Sequence, residues 1–201
     1  MVEKNVHLYV LDTFADWEPG YAIARLNDPA MQRQPGRFRV RTVADSWSRV
    51  RSMGGLSVVP DLTIEDLRPA TSALLILPGA NTWESGVGAG AVAKAAEFLE
   101  AGVPVAAICG ATWGMAQAGL LDGRRHTSNS LEFLKSAPRY RGQRHYVDAR
   151  VVSDRGLITA PAVGAVEFAA AIFRELEVFE PELIHGWERL FSSGGLVAAF
   201  G

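Results

Sequence analysis

The stretch VAAICGATWGMAQAG, residues 105–119, decides how the chain reads. A continuous apolar run climbs into Cys109, the one cysteine in the sequence, and a helical pattern starts just after it. Such a run reads as a strand buried on both faces. A strand that turns sharply into a helix holds the turning residue up at the sheet edge, which is the mechanics of a nucleophile elbow. Gly110 beside the turn permits close backbone approach. The thiol then lies near the N-terminus of a helix running from Ala111 to Ala118. Free N–H groups and the helix dipole there favour an anion and lower a thiol pKa. The Gly110 N–H can also hold an oxyanion. Against this stands a plain packing role, because free cysteine is among the most buried residue types. Cys109 ends its run, precedes a glycine and opens a helix, and that position favours a reacting thiol.

Working outward, short apolar runs alternate with helical patterns. Strands are predicted at Val6–Leu11, Phe38–Ala44, Ala73–Leu77 and Val103–Ile108. Two hairpins are predicted. One joins Val50–Ser52 to Leu56–Val59 through MGG (53–55), the other joins Ala149–Ser153 to Leu157–Ala160 through DRG (154–156). Helices are predicted at Pro19–Asn27, Ala89–Glu100, Leu131–Ser136, Val163–Leu176 and Glu182–Leu190. Pro19 suits a helix start, where a missing N–H costs little, and Gly102 suits a helix stop. A Ser-Gly-rich tail follows. Nearly continuous apolar strands between helices predict an α/β fold, a mostly parallel sheet with helices on both faces.

The 201 residues suit one domain, 1–201, with no internal repeat or linker. Hydrophobic residues make up 48% and charged residues 21%, the balance of a globular protein. A net charge of −2 gives no excess that points to nucleic acid or a membrane surface. No stretch reaches the ~20 apolar residues that span a bilayer, and the N-terminus reads as a first strand rather than a signal peptide. A single cysteine forms no internal disulfide, so a soluble, cytoplasmic setting is expected.

Ligands of open α/β sheets collect beyond the carboxyl ends of the strands. Two further stretches leave strand ends. LDTFADWEP (11–19) carries Glu18 just before a helix, with Asp12 and Asp16 as rival acids. An acid there serves a helix N-terminus. A protonated carboxyl at that edge can also donate a hydrogen bond to a thiolate or an oxidised sulfur. Residue chemistry alone leaves the three acids equal. LPGAN (77–81) is an ordinary Pro-Gly turn, or else the N–H groups of Gly79 and Ala80 complete an oxyanion hole.

These stretches in this order resemble the ThiJ/PfpI superfamily, which includes the parkinsonism-associated deglycase and sits within the class I glutamine amidotransferase-like fold. The matching segments are VLDTFADWE (10–18), LLILPGAN (74–81), VPVAAICGAT (103–112), AGLLDGRRHTSN (118–129) and ITAPAVGAVEFA (158–169). They span nearly the whole chain. HTSN (126–129) is itself similar to a bacterial amidotransferase-like subgroup. The resemblance implies a flavodoxin-like three-layer sandwich with Cys109 in a strained elbow and Glu18 hydrogen-bonded to its sulfur. It implies an oxyanion site near Ala80 and Gly110, a homodimer, and a role between two poles. One is a hydrolase or lyase acting on small carbonyl or amide substrates. The other is a stress-response protein in which an oxidant converts Cys109 to sulfenic or sulfinic acid.

The chain departs from the family pattern at two places. The protease-like branch has a His directly after the cysteine, where Gly110 stands. The deglycase-like branch has a His that aligns with Asn129, and His126 falls three residues earlier. Side chains at an odd separation in an extended segment point to opposite faces, so His126 and Asn129 cannot both face the thiol there. Asn129 donates a hydrogen bond but shuttles no proton near neutral pH.

The remaining signals are weak. His7, His126, His145 and His185 form no metal-ligand spacing, so no metal is expected. GVGAG (86–90) lacks the dinucleotide spacing, and no cofactor is expected. His185 in LIHGWE (183–188) reads as part of a surface helix. RGQRH (141–145) with Arg139 is a solvated basic patch or an entry for an anionic substrate. Trp17, Trp83 and Trp113 neighbour the candidate loops as core or as site wall. The apolar end (Trp187, Leu190, Phe191, Phe200) needs covering.

Overall fold

The structure, a computed structural model, describes residues 4–192. In chain order the elements are β1 (Lys4–Tyr9), α1 (Trp17–Asn27), β2 (Phe38–Ala44), β3 (Val50–Arg51), β4 (Ser57–Val58) and β5 (Leu62–Thr63). Then come β6 (Ser72–Leu77), α2 (Ala89–Glu100), β7 (Val105–Ile108), α3 (Gly110–Gln117) and α4 (Leu131–Lys135). The last are β8 (Val152–Asp154), β9 (Leu157–Ala160), α5 (Ala165–Glu175) and α6 (Pro181–Ser192). The Ser-Gly-rich tail and Phe200 lie outside the described residues.

The seven-stranded sheet has the order β5-β2-β1-β6-β7-β9-β8. Every neighbouring pair is parallel except β8–β9, the hairpin through DRG. The strands β6, β7 and β9 are buried at every position, which requires cover on both faces. Helices α1, α5 and α6 pack together, and α2 and α3 pack together against β6 and β7. The expected flavodoxin-like architecture is therefore the one observed.

Several boundaries differ from the pattern-based ones. β1 ends two residues early, at Tyr9, and β7 starts two residues late, at Val105. Helix α1 starts at Trp17, ahead of Pro19. Proline remains harmless there, because the first four N–H groups of a helix have no partner within it. The consequence is functional: Glu18 belongs to the helix's first turn and is carried inward with it. The short edge strand β5 was not anticipated. The predicted first hairpin is present as β3–β4, a separate two-stranded ribbon.

The chain runs from β1 to β2 and β5 in one direction, and from β1 through β6 and β7 to β9 in the other. The strand order reverses between β1 and β6, which is where such folds open a crevice. The segments that follow β1, β6 and β7 all end at this edge. Part of the apolar chain end is covered within the molecule, although Phe191 stays exposed. Trp187 on α6 stacks edge-on against Tyr21 of α1 and Phe173 of α5, and Phe191 meets Tyr21 and Trp187.

Candidate active site

Cys109 stands at the N-cap of α3 with φ 56° and ψ −122°. A non-glycine residue with positive φ is held against a steric cost, and such residues collect at functional sites. What holds it is visible. The Cys109 N–H donates to the Ala160 carbonyl oxygen at 2.9 Å, continuing the β7–β9 ladder. Its own carbonyl accepts from Thr112 Oγ1 at 2.6 Å. Thr112 Oγ1 also meets Ser128 Oγ at 2.6 Å, tying α3 to the HTSN segment. Thr112 and Ser128 were not singled out in the sequence, although the spacing in CGAT places Thr112 one helical turn after the thiol.

Glu18 is 0% exposed. Its Oε2 accepts from the Gly79 N–H at 2.5 Å, Oε1 forms no hydrogen bond, and the carboxyl lies beside the Cys109 thiol, close enough for each group to shift the other's pKa. Gly79 is the hinge of this meeting. A Cβ placed on it would lie 2.8 Å from Cys109 Cβ and 2.8 and 2.9 Å from the two Glu18 oxygens. Only a residue without a side chain lets the acid and the thiol approach across that turn. The Gly79 N–H is thus engaged with Glu18. Of the two donors considered in LPGAN, only Ala80 keeps an N–H with no backbone or side-chain acceptor among the described residues. The Gly110 and Ala80 backbones lie against each other, since a Cβ on Gly110 would sit 3.0 Å from Ala80 O and 3.4 Å from Ala80 N.

The two rival acids have other partners. Asp12 Oδ1 accepts from the Arg51 N–H at 2.8 Å, and Asp16 Oδ2 from the Gly54 N–H at 2.6 Å. Both anchor the β3–β4 ribbon beside the site. The third position belongs to Asn129. Its Nδ2 donates to Cys109 Sγ at 3.3 Å, and its Oδ1 accepts from the Ala162 N–H at 2.9 Å. The Ala162 bond fixes which way the amide points and so turns the NH2 toward sulfur. His126, three residues earlier, faces the other way and is buried. Nδ1 lies 2.7 Å from Arg124 O and Nε2 2.7 Å from Tyr140 Oη. The carbonyl partner assigns the proton to Nδ1 and leaves Nε2 as acceptor from tyrosine. Burial lowers the His126 pKa.

The electrostatics correct one expectation. The turn alone predicts a lowered thiol pKa. In the folded protein burial pushes the Cys109 thiol up to about 11, with the Glu18 charge adding to it, while the Asn129 amide and the Gly110 N–H pull down. Burial also lifts the Glu18 carboxyl to about 7, against the downward pull of the Gly79 N–H and the thiol. Two acids this close titrate as a pair, in two macroscopic steps. Between those steps the pair holds one proton.

Of the tryptophans, Trp83 is buried with its Nε1 donating to Pro78 O at 2.9 Å, Trp113 is buried, and Trp17 is 53% exposed. His7 is buried within β1, and His185 is exposed on α6 as expected.

Fold and site together define a class: α/β proteins that carry a cysteine in a strained strand-to-helix turn at the switch point of a parallel sheet, with an acid from the first helix against it. The chain belongs to the DJ-1/PfpI family, whose model matches residues 4–175. It is 38% identical over 192 residues to a Bacillus subtilis (strain 168) protein named "Uncharacterized protease YoaZ", covering 94% of this chain and 91% of that one. Among solved structures it is similar to a thiJ/pfpI family protein from Bacillus anthracis, with a TM-score of 0.90, 37% identity, and coverage of 97% of this chain and 93% of that one. It is also similar to the DJ-1 superfamily protein Atu0886 from Agrobacterium tumefaciens, with a TM-score of 0.84, 31% identity, and coverage of 96% and 100%.

Proposed function

We propose that this protein is a cysteine-dependent hydrolase or lyase acting on small carbonyl or amide compounds, with Cys109 as nucleophile and Glu18 as proton carrier. The observation that carries this reading is a single one. A buried carboxyl lifted to about 7 is pressed against a thiol on a backbone with φ 56°. A proton carrier poised near neutral pH is what general acid–base chemistry needs. With Asn129 in the third position, Glu18 is the group beside the sulfur that can take and return a proton.

The thiol proton passes to the Glu18 carboxylate as Sγ bonds to the substrate carbonyl carbon. The carbonyl π pair moves onto oxygen, where the Ala80 and Gly110 N–H groups meet the developing charge. With an aldehyde, Glu18 returns the proton to that oxygen and a hemithioacetal results. With an amide, it returns the proton to the departing amine and leaves a thioester. Water then attacks the thioester, restoring the thiol and releasing the acid. The amide branch agrees with the word "protease" in the name of the Bacillus subtilis relative.

One observation favours a second reading. An amide, Asn129, rather than an ionisable base faces Sγ. That arrangement suits an oxidation sensor. A peroxide oxygen bonds to sulfur as the O–O bond breaks and the leaving oxygen takes the thiol proton, giving the sulfenic acid. A second peroxide, cleaved in the same way, gives the sulfinic acid, and Asn129 and protonated Glu18 hydrogen-bond to either product. We also propose a homodimer in a reducing, cytoplasmic setting. Exposed Trp17, Met53 and Leu56, grouped around one open depression, support the dimer.

The test is iodoacetamide alkylation of Cys109 against pH for the native protein and Glu18→Gln. Consumption of small aldehydes and p-nitroanilides, and oxygen uptake by mass after peroxide, follow. The native profile should show two steps, and Glu18→Gln one step below about 11. Turnover lost in Cys109→Ser supports the enzyme. Oxygen addition to Cys109 without turnover supports the sensor. A thiol indifferent to Glu18 and inert to both reagents leaves Cys109 as packing.

A further inference from the structure

The molecule has a second concave site that involves neither Cys109 nor Glu18. Between α2 and α3 lies a groove of about 300 Å³. That is the small end of the range for ligand pockets, roughly 300–1,000 Å³. Its apolar walls include Trp83, Val87, Val92 and Trp113. The reason for the groove is in the sequence. The helix α2 presents Ala93 and Ala96 to it, and α3 presents Gly114, so neither helix fills the space between them. The indole of Trp83 forms part of its wall because glycines surround it. A Cβ on Gly88 would come within 2.7 Å of the ring, and one on Gly114 within 2.8 Å. The GVGAG stretch therefore has a use: Gly86 (φ 84°) and Gly88 (φ 89°) turn the chain from Trp83 into α2 and leave Val87 on the rim.

The polar lining is of one kind. Arg139 and Gln117 line the groove, and no carboxylate does. Gln117 Oε1 is engaged by the Arg139 N–H at 3.2 Å, which leaves the Gln117 NH2 as a donor. The exposed Arg139 forms no ion pair with a carboxylate among the described residues. Trp113 Nε1 is satisfied by Ser136 Oγ at 2.9 Å, so what it offers the groove is its apolar face. Two indoles, small-residue walls, a guanidinium and an amide donor are complementary to one ligand chemistry: an aromatic ring joined by a short chain to a carboxylate.

We propose that the α2–α3 groove binds a small aromatic carboxylate, its ring against Trp83 and Trp113 and its carboxylate on Arg139 and Gln117. The Trp83 indole is shared with the first site, since a Cβ on Gly110 would meet it at 2.9 Å.

The probe is 3-phenylpropionate, titrated against tryptophan fluorescence and by calorimetry, with 3-phenylpropanol as the uncharged analogue. The carboxylate should bind saturably with a dissociation constant of about 1 mM or below. The alcohol, and the carboxylate on Arg139→Met, should each bind about tenfold more weakly, as a lost charge-assisted bond requires. Ala96→Phe should abolish binding of both, and Cys109→Ser should leave it unchanged. Arg139 is exposed and Ala96 half-buried on a helix surface, so both variants should fold, with a melting curve like the native protein's as the check. Absence of saturable binding overturns the proposal. So does binding lost in Cys109→Ser, or binding indifferent to Ala96→Phe. A dimer that dissociates in Ala96→Phe also overturns it, because the groove is then a subunit interface.

Discussion

At the scale of single residues, the site depends on one missing side chain and one misplaced proton. Gly79 is bare where a methyl group would press on Cys109 and on both Glu18 oxygens. Gly79→Ala should cost about 1–3 kcal/mol of stability, the usual range for overpacking. Urea unfolding reads this loss, and Cys109 alkylation should change with it because the acid and thiol are pushed apart. The buried Glu18 carboxyl predicts a pH signature. Its folded pKa, about 7, lies above the ordinary value of 4.5. The stability this contributes is complete below 4.5 and is lost as pH rises through 7, because the folded protein holds the proton more tightly than the unfolded chain. Glu18→Gln does not ionise. Relative to it, the native protein should lose up to about 3 kcal/mol between pH 4.5 and 7 and change little above that. Denaturant midpoints measured for both proteins across that range check the sign. A flat difference would mean that the carboxyl titrates as it does in water.

At the scale of elements, the first helix links two regions. Its start at Trp17 carries Glu18 to the thiol, and its side carries Tyr21 to Trp187 on α6. The α6 indole also meets Phe173 of α5 and Phe191. Removing it unpacks three rings at once, but Trp187 is only half-buried. Trp187→Ala should therefore cost about 2 kcal/mol, below the full range of about 3–5 for a buried aromatic. The loss should appear as a lower thermal midpoint with alkylation of Cys109 unchanged, because α6 packs against α5 away from the turn that holds the thiol. The β3–β4 ribbon is an element of the opposite kind. It is short, its pairing is confined to two residues of each strand, and Asp12 and Asp16 fasten it to the loop before α1. Among the described residues, no helix is long and apolar enough to cross a membrane.

At the scale of the whole molecule, apolar surface is left beside the site. Trp17, Met53 and Leu56 are exposed around one depression next to Asp16. A second copy that covers this face would place its own residues near the entrance to Cys109. Sedimentation should then show twice the mass of one chain, and Leu56→Glu should shift the protein to monomer by burying a charge in the interface. A native protein that sediments as one chain at high concentration removes the dimer. It leaves the Cys109–Glu18 chemistry to be judged on the monomer.

The sequence by itself determined the local geometry. An apolar run ending in Cys109-Gly110 specifies a strand, a sharp turn and a helix. The Ala-rich run before Gly102 specifies α2 from Ala89 to Glu100, because Gly102 adopts the left-handed conformation (φ 73°) that ends it. Such features depend on neighbours within a turn or two, and periodicity records them. The odd spacing of His126 and Asn129 showed that only one of them faces the thiol, for the same local reason. Which of them does so was decided by tertiary contacts, with Ala162 orienting the asparagine and Tyr140 holding the histidine. Tertiary structure also chose among three acids within seven residues of chain. Asp12 and Asp16 met backbone donors of the ribbon, and Glu18 met the N–H of Gly79, 61 residues away. The pKa of the thiol was likewise a matter of tertiary structure. A helix N-terminus lowers it locally, but burial and a neighbouring carboxylate raise it, and both are created only when distant segments close over the turn.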